Sequence, residues 1–155
     1  MQHKVTAAEA IRDMLADSGL FDRLQGNELL VASRYFNVDQ VSAGERIFQE
    51  GDPGTFMCIL HCGTVSVVKT NADGEPVEVA RLRQGRPFGE MAVLDGERRS
   101  ASCLAHVDCL LLTLSRDSLE RLLNESPKVA AKLIRAIAVS MSKRLRLADG
   151  RLVDQ

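Results

Sequence analysis

The sequence has 155 residues, of which 45% are hydrophobic and 26% are charged, a composition typical of one soluble globular domain. Its 20 Lys and Arg residues nearly balance its 21 Asp and Glu residues, so the formal charge of −1 excludes a general electrostatic attraction to duplex nucleic acid. No apolar run predicts a membrane span, and the N-terminus lacks the pattern of a signal peptide, so we expect a cytoplasmic protein.

The N-terminal part of the sequence, residues 1–37, is predicted to be helical. Thr6 and Glu9 form a capping box, the pairing of a hydroxyl and a carboxylate that stabilises the first turn of a helix. Apolar residues follow at helical spacing, and Gly19 is expected to end this helix. Residues 20–36 continue with apolar side chains on one face, which favours a second amphipathic segment.

Residues 38–115 have a different character, because short apolar runs alternate with glycines at short intervals. Such glycines are typical of tight turns between short strands. The segment TNADGEP between two of these runs is a hairpin signal, with Gly74 as the residue in the left-handed conformation. We therefore predict an antiparallel β-roll or jelly-roll barrel, and not a series of alternating strands and helices.

Residues 116–148 are predicted to form a pair of C-terminal helices, the first capped by Ser115 and the second beginning at Pro127. The second helix is long and carries an apolar stripe beside a strongly basic face. The basic face could touch anionic lipid or a partner groove, although we favour a solvated basic face with the apolar stripe packed on the core or in a homodimer seam. The complete prediction is a single α+β domain, residues 1–155, with a β-roll flanked by N-terminal helices and by this helix pair.

The cysteines and histidines give no sign of a metal site or of catalysis. Strand alternation would turn His61 away from its neighbouring cysteines, and no second cluster completes a ligand set, so no metal is expected. The 3 histidines are spread along the chain without a nucleophile beside them, and we expect no enzyme. The cysteines lie in apolar runs and are expected to be reduced core residues: Cys58, Cys62, Cys103 and Cys109.

A long connection, FGEMAVLDGERRSAS in residues 88–102, interrupts the predicted β-roll. Connections of this length in compact domains are usually functional. Its first residues resemble a helical turn whose free backbone N–H groups would attract an anion. Arg99 supplies a permanent, fork-shaped cation suited to phosphate, and Glu90 could accept a hydrogen bond from a hydroxyl. Together the two side chains indicate a sugar phosphate as the ligand.

The segments VSAGERIFQEGDPGTFMCILHCGTVSVV and RPFGEMAVLDGERRSAS resemble the cyclic nucleotide-binding domain. This module is shared by the regulatory subunit of protein kinase A, the catabolite activator protein and nucleotide-gated channels. The resemblance covers residues 20–147, and its most specific part is the phosphate-binding cassette, F-G-E-x-A followed by R-[STA]-A. It implies a sensor or regulatory module that binds a cyclic nucleotide and moves its C-terminal helix.

The resemblance also implies the roles of individual residues in the cassette. Glu90 would accept from the ribose 2′-hydroxyl, and Arg99 would pair with the cyclic phosphate. Ser100 would donate to the same phosphate, and Arg98 would be solvated. Backbone N–H groups at the start of the cassette helix would complete the phosphate site. The expected ligand-binding residues are Phe88, Gly89, Glu90, Met91, Ala92, Arg99, Ser100 and Ala101.

The long C-terminal helix is expected, by the same resemblance, to close over the base as a lid. We expect cAMP as the ligand and cGMP as a weaker second, because the Ser100 hydroxyl is free to turn toward the phosphate. No cofactor other than this ligand is expected. The residues expected to form the lid are Leu133, Ile137, Met141 and Arg144.

The partners of the domain are less defined by the sequence. The sequence ends at Gln155 without the helix-turn-helix domain of catabolite activator proteins, so we expect no DNA binding and an effector protein that the sequence does not identify. Two alternatives stay open. The β-roll could have lost its ligand and act as an interaction or dimerisation domain, and the apolar stripe of the last helix could be a homodimer seam instead of a lid.

Overall fold

The structure is a computed structural model that describes residues 5–153, with side chains for residues 5–150. The first four and the last two residues of the predicted domain lie outside the described residues. The described residues form eight strands and five helices, and this α+β architecture confirms the predicted fold class. The helices are α1 (Ala7–Asp17), α2 (Gly26–Ser33), α3 (Glu90–Asp95), α4 (Arg116–Glu125) and α5 (Pro127–Val153). The strands are β1 (Asn37–Val41), β2 (Arg46–Phe48), β3 (Phe56–Cys62), β4 (Val65–Thr70), β5 (Pro76–Leu82), β6 (Pro87–Phe88), β7 (Ser102–Ala105) and β8 (Cys109–Ser115).

The strands form two four-stranded antiparallel sheets, with the order β1-β8-β3-β6 in the first and β2-β7-β4-β5 in the second. Most neighbours within a sheet are far apart in the sequence, as expected for a roll. The strand β6 has two residues, which pair with Cys58 and Ile59 of β3. A strand this short carries no periodic pattern and is therefore not predictable from the sequence.

The turn between β4 and β5 has the predicted hairpin geometry. Gly74 adopts a φ of 79°, which is the left-handed conformation expected from its position. The side-chain oxygen of Asn71 accepts hydrogen bonds from the N–H groups of Asp73 and Glu75, each at 2.9 Å. These bonds close the turn locally, which explains why a short sequence signal is sufficient to identify it.

The helix boundaries follow the predicted capping residues. Thr6 accepts a hydrogen bond from the N–H of Glu9 at the start of α1, and Ser115 accepts one from the N–H of Ser118 at the start of α4. The second predicted segment is only partly helical, because α2 is confined to Gly26–Ser33. No helix within residues 5–153 is long and apolar enough to cross a membrane.

The N-terminal half of α5 is part of the core. A cluster of buried apolar residues joins α1, α2, α4 and α5 to β3 and β8, and Leu133 and Ile137 are fully buried in it. Lys132 on the same half of α5 forms an ion pair with Glu28 of α2 at 2.8 Å. A second apolar cluster lies among the strands and includes Phe88 at the start of the long connection. The C-terminal half of α5 extends from this fixed base.

Candidate functional site

The long connection after β6 begins with the predicted helical turn, which is α3. Gly89 caps α3 with a φ of 75°, a backbone conformation that residues other than glycine rarely adopt. A β-carbon at Gly89 would lie 2.7 Å from Nη1 of Arg99 and 3.1 Å from the ring of Phe48. The glycine therefore permits both the turn and the close approach of the arginine.

Gly54, in the loop between β2 and β3, allows α3 to pack closely against that loop. A β-carbon at Gly54 would lie 1.9 Å from the β-carbon of Ala92 in α3. Nη2 of Arg116 donates to the carbonyl oxygens of both Gly54 and Ala92, each at 2.9 Å, and so connects the two segments. Neither contact is signalled in the sequence, because each joins residues that are distant along the chain.

Arg99 lies deep in the site, with 4% of its surface exposed. Its Nη1 donates to the carbonyl oxygen of Gly89 at 2.8 Å, and its Nη2 donates to that of Phe56. The guanidinium carbon lies 3.9 Å from the ring centroid of Phe48 and 4.9 Å from that of Phe56. Burial lowers the pKa of Arg99 from its ordinary value, while the carbonyl oxygens and aromatic faces stabilise its charge. Its Nε is buried and has no hydrogen-bond partner within the described part of the chain.

Glu90 is buried to the same degree, with 2% of its surface exposed. Its Oε1 forms an ion pair with Nη2 of Arg144, which reaches the site from α5. This pair compensates for the burial of the carboxylate and connects the C-terminal half of α5 to the cassette. Burial lowers the pKa of Arg86, a half-buried residue that immediately precedes β6, and the positive charge of Arg144 lowers it further.

These side chains line a cavity of about 410 Å³, which is within the range of about 300–1,000 Å³ for small-molecule sites. Side chains of β2, β4, β5 and β7 give the cavity an apolar wall. The lining also includes charged residues, namely Arg86, Glu90, Asp95, Glu97, Arg98, Arg99 and Arg144. All eight residues that were expected to bind the ligand line this cavity: Phe88, Gly89, Glu90, Met91, Ala92, Arg99, Ser100 and Ala101.

Of the four residues expected to form the lid, one lines the cavity and three pack in or against the core. Arg144 lines the cavity. Leu133 and Ile137 are fully buried in the core cluster, and Met141 packs against that cluster, so these three do not line the cavity. The reason is that the apolar stripe of α5 is used first to attach the helix to the domain.

Two arginines that line the cavity, Arg98 and Arg86, were not predicted to do so. Arg98 is exposed, as predicted, but its Nη1 donates to the carbonyl oxygen of Gly51 at 2.9 Å and the residue also lines the cavity. Arg86 lines the cavity without having been predicted there, because a single arginine before a short strand carries no recognisable pattern.

The cysteines beside the site are buried thiols. Burial raises the pKa of Cys58 and raises that of Cys103 to about 12, so both are protonated at neutral pH. Cys109 is also buried, but Cys62 is exposed at the end of β3, which corrects the expectation that all four are core residues. No group of His, Cys, Asp and Glu side chains among the described residues could hold a metal ion.

The family model of the cyclic nucleotide-binding domain matches residues 38–126. The cyclic AMP receptor protein of Thermus thermophilus is 36% identical over 132 residues, which are 85% of this chain and 59% of that protein. The chain therefore spans less than two thirds of that relative.

Two solved structures have a similar fold. A cyclic nucleotide-binding domain from Methylobacillus flagellatus has a TM-score of 0.83 at 28% identity, over 95% of this chain and 83% of that one. The regulatory subunit of a cAMP-independent protein kinase A from Trypanosoma cruzi, bound to guanosine, has a TM-score of 0.70 at 26% identity, over 89% of this chain and 50% of that one.

Proposed function

Since this chain belongs to the cyclic nucleotide-binding domain family, we propose that it binds a 3′,5′-cyclic mononucleotide as a regulatory module without catalytic activity. The observation that carries this proposal is the assembly of Glu90, Arg99 and the start of α3 in one cavity. Glu90 and Arg99 come from opposite ends of the connection, and both are almost fully buried. Charged side chains are rarely buried to this degree without a partner, so their burial indicates a functional site.

The phosphate is held, in this proposal, by Arg99 and by the start of α3. Each Nη group of Arg99 uses one of its two N–H donors on a backbone carbonyl oxygen, so the positive charge and the second donor of each group remain for an anion. The N–H groups of Met91 and Ala92 lie in the first turn of α3, where a helix has no acceptors of its own for them. Ser100 is exposed at the cavity and supplies a hydroxyl donor.

The sugar and the base occupy the remainder of the cavity. Oε1 of Glu90 is paired with Arg144, and Oε2 is the oxygen that accepts from the ribose 2′-hydroxyl. The base lies against the apolar wall, to which Val67, Ala80 and Leu82 contribute. Such a wall favours a planar aromatic ring without distinguishing strongly between purines. We propose cAMP as the ligand and cGMP as a weaker second because the Ser100 hydroxyl is free to turn to the phosphate instead of the base.

Binding affects the C-terminal half of α5 in this proposal, because Arg144 already contacts a carboxylate that the ligand also uses. The N-terminal half of α5 is held in the core by Leu133 and Ile137, so a change in position begins beyond those residues. A ligand shifts such an equilibrium only by its difference in affinity for the two states. Ligand binding thereby changes the surface of the C-terminal half of α5 that an effector protein can contact.

Calorimetric titration of the purified protein with cAMP and cGMP tests the proposed function. We expect a single site per chain and a preference for cAMP of about tenfold, which corresponds to about 1.4 kcal/mol. Thermal unfolding should shift upward with each nucleotide, because a ligand that binds only the folded state stabilises it. Absence of both heat and thermal shift at millimolar nucleotide would contradict the proposal, and tighter binding of cGMP would reverse the preference.

Hydrogen exchange tests the involvement of α5. Addition of saturating ligand should slow exchange in residues 142–150, which follow the part of the helix that packs on the core. Residues 127–137 serve as the internal control, since they are anchored in the core without ligand and should change little. If residues 142–150 exchange at the same rate while binding is tight, the helix takes no part in the response.

The alternative function is that of an interaction or dimerisation domain without a ligand. It is favoured by exposed apolar side chains on α5, namely Val139, Leu145 and Leu147, of which Leu145 and Leu147 are 64% and 63% exposed. Sedimentation analysis with and without cAMP separates the two functions. A dimer that forms equally in both conditions, together with no detectable nucleotide binding, would support the alternative.

A further inference from the structure

A groove of about 300 Å³ lies between the C-terminal half of α5 and two loops, and we call it the α5 groove. One wall consists of residues 18–20, which follow α1, and residues 85–87, which lead into β6. The other wall is one face of α5, whose lining residues recur three or four positions apart: Ala136, Val139, Ser140, Lys143, Arg144 and Leu147. At the helical rise, this face is about 16 Å long.

The wall opposite α5 is held in place by hydrogen bonds. Oγ of Ser18 donates to the carbonyl oxygen of Leu15 at 2.6 Å and accepts from the N–H of Leu20 at 3.2 Å. The N–H of Gly85 donates to the carbonyl oxygen of Leu60 in β3 at 2.7 Å. The two loops also touch, because a β-carbon at Gly85 would lie 3.0 Å from the carbonyl oxygen of Ser18. This wall is therefore preformed, and a partner that binds to it does not have to order it.

Apolar side chains on both walls of the groove are left uncovered. Val139 and Leu147 are 41% and 63% exposed, and they lie four residues before and four residues after Lys143 on the same face of α5. On the opposite wall, Leu20 packs against the core but is only partly buried. Apolar side chains on the two sides of a concave surface are typical of grooves that hold an amphipathic segment of another protein.

The charge of the α5 groove is positive. Its lining contains three cationic residues, Arg86, Lys143 and Arg144, and no acidic residue. Arg144 is paired with Glu90, which lies on the side of the nucleotide cavity. Lys143 makes no hydrogen bond or ion pair with any other residue among residues 5–150. An acidic partner complements this charge, and a basic partner is repelled.

Two other occupants fit the groove less well. A second copy of α5 is a poor match, because this helix carries six Lys and Arg residues and no acid before Asp149. An anionic membrane is nearly flat at this scale, so it contacts convex surfaces and does not reach the floor between two walls. We propose that the α5 groove is the docking site for an acidic amphipathic segment of a partner protein, with its apolar side chains on Val139 and Leu147 and its carboxylates at Lys143. This inference goes beyond the proposed function, because none of these contacts involves the nucleotide.

Selection from a peptide library tests the proposed docking site. A phage-displayed library of random peptides of about 12 residues, long enough to span the groove as a helix, is selected on the full-length protein without nucleotide. We expect the enriched peptides to combine several Asp or Glu residues with apolar residues three or four positions apart. Their affinities are then measured by fluorescence anisotropy. Lys143→Glu and Leu147→Ser should each weaken binding by roughly tenfold or more, the first by charge repulsion and the second by loss of an apolar contact.

Two variants on the same helix, Arg146→Glu and Leu145→Ser, are the matched controls because neither residue lines the groove. Leu145 is 64% exposed, almost the same fraction as Leu147, so the leucine pair differs only in the direction of the side chain. Each control should change the affinity by less than about twofold at roughly 0.15 M salt, where charges more than about 8 Å apart are largely screened. All four substituted residues are exposed, so the variants should fold, and thermal unfolding verifies this.

Equal losses of affinity in Leu145→Ser and Leu147→Ser, or a selection that enriches no acidic peptides, would overturn the inference. Two further measurements identify the other occupants. Binding to phosphatidylserine vesicles that Lys143→Glu abolishes, without any enriched peptide, would assign the face to a lipid surface. Self-association in sedimentation that Leu147→Ser abolishes and Leu145→Ser does not would assign it to a second copy. Since no nucleotide is present in these experiments, failure of the proposed function would not change their outcome.

Discussion

Replacement of Arg99 by alanine is expected to weaken cyclic nucleotide binding by roughly 10- to 150-fold, since hydrogen bonds to a charged group contribute about 1.5–3 kcal/mol. Arg99 is a buried cation that lines the cavity, and alanine removes both its charge and its N–H donors. Calorimetric titration with cAMP measures this loss directly.

The same substitution should also reduce the stability of the protein without ligand. The carbonyl oxygens of Gly89 and Phe56 lose their arginine donors, and each buried group without a partner costs about 1–3 kcal/mol if no water replaces the donor. Thermal unfolding of the nucleotide-free protein therefore has to accompany the titration. Temperatures well below the unfolding midpoint keep the loss of affinity separate from the loss of fold.

Arg98→Ala is the control for Arg99→Ala. The two arginines are adjacent, but Arg98 is exposed and its guanidinium is bound to the carbonyl oxygen of Gly51. Its removal should reduce affinity far less, because an exposed charge at the edge of a cavity is screened by water and salt. Similar losses in the two variants would show that the phosphate partner has been assigned to the wrong residue.

Replacement of Gly54 by alanine is expected to lower the free energy of unfolding by about 1–3 kcal/mol, because the new methyl group overfills a packed contact. The added β-carbon would lie 1.9 Å from the β-carbon of Ala92 and 3.1 Å from its α-carbon, so α3 or the Gly54 loop has to move. The unfolding temperature should fall by about 2–4 °C for each kcal/mol in a domain of this size. Differential scanning calorimetry measures the change.

Gly26→Ala provides the matched control for this substitution. Gly26 is the first residue of α2, and a β-carbon there meets no atom within 4 Å. Because alanine favours the helix, the control should be neutral or more stable by up to about 1 kcal/mol. Equal stabilities of the two variants would contradict the prediction, because they would mean that α3 moves away from an added methyl group at Gly54 without loss of unfolding free energy.

Movement of α3 by Gly54→Ala should also affect the ligand. The N–H groups of Met91 and Ala92 belong to the first turn of α3 and lie beside this contact. A shift of the turn changes their direction toward the phosphate, so cAMP affinity should fall together with stability. Ala92→Gly in the same chain removes one of the two clashing methyl groups and should restore part of both quantities.

The ion pair between Glu90 and Arg144 is the physical connection between the cavity and α5 in the proposed mechanism. Glu90 is fixed in the cassette, whereas Arg144 is in the part of α5 beyond the buried residues. A ligand hydroxyl that donates a hydrogen bond to the same carboxylate changes the free energy of this pair and thereby biases the position of the helix. In this mechanism, Glu90 alone couples ligand binding to the position of α5, and no extended chain of contacts is required.

Features set by neighbouring residues were predictable from the sequence. Thr6 and Ser115 cap helices because their hydroxyls reach an N–H three residues away, and Gly74 occupies the left-handed position of its hairpin turn. The cassette is likewise a local pattern, in which Gly89 and Arg99 belong to one connection. Short-range geometry of this kind depends on few residues, which is why a local sequence pattern can predict it.

The sequence by itself indicated the α+β class and the turns, which follow from local spacing, and its resemblance to the cyclic nucleotide-binding domain indicated which cassette residues line the cavity. The tertiary structure alone decided that Leu133 and Ile137 attach α5 to the core, that Arg144 reaches Glu90, and that Arg86 lines the cavity. An apolar stripe looks the same whether it faces a core, a ligand or a second chain, and an isolated arginine has no pattern. Only the packing of distant segments, which fixes the direction of each side chain, distinguishes these outcomes.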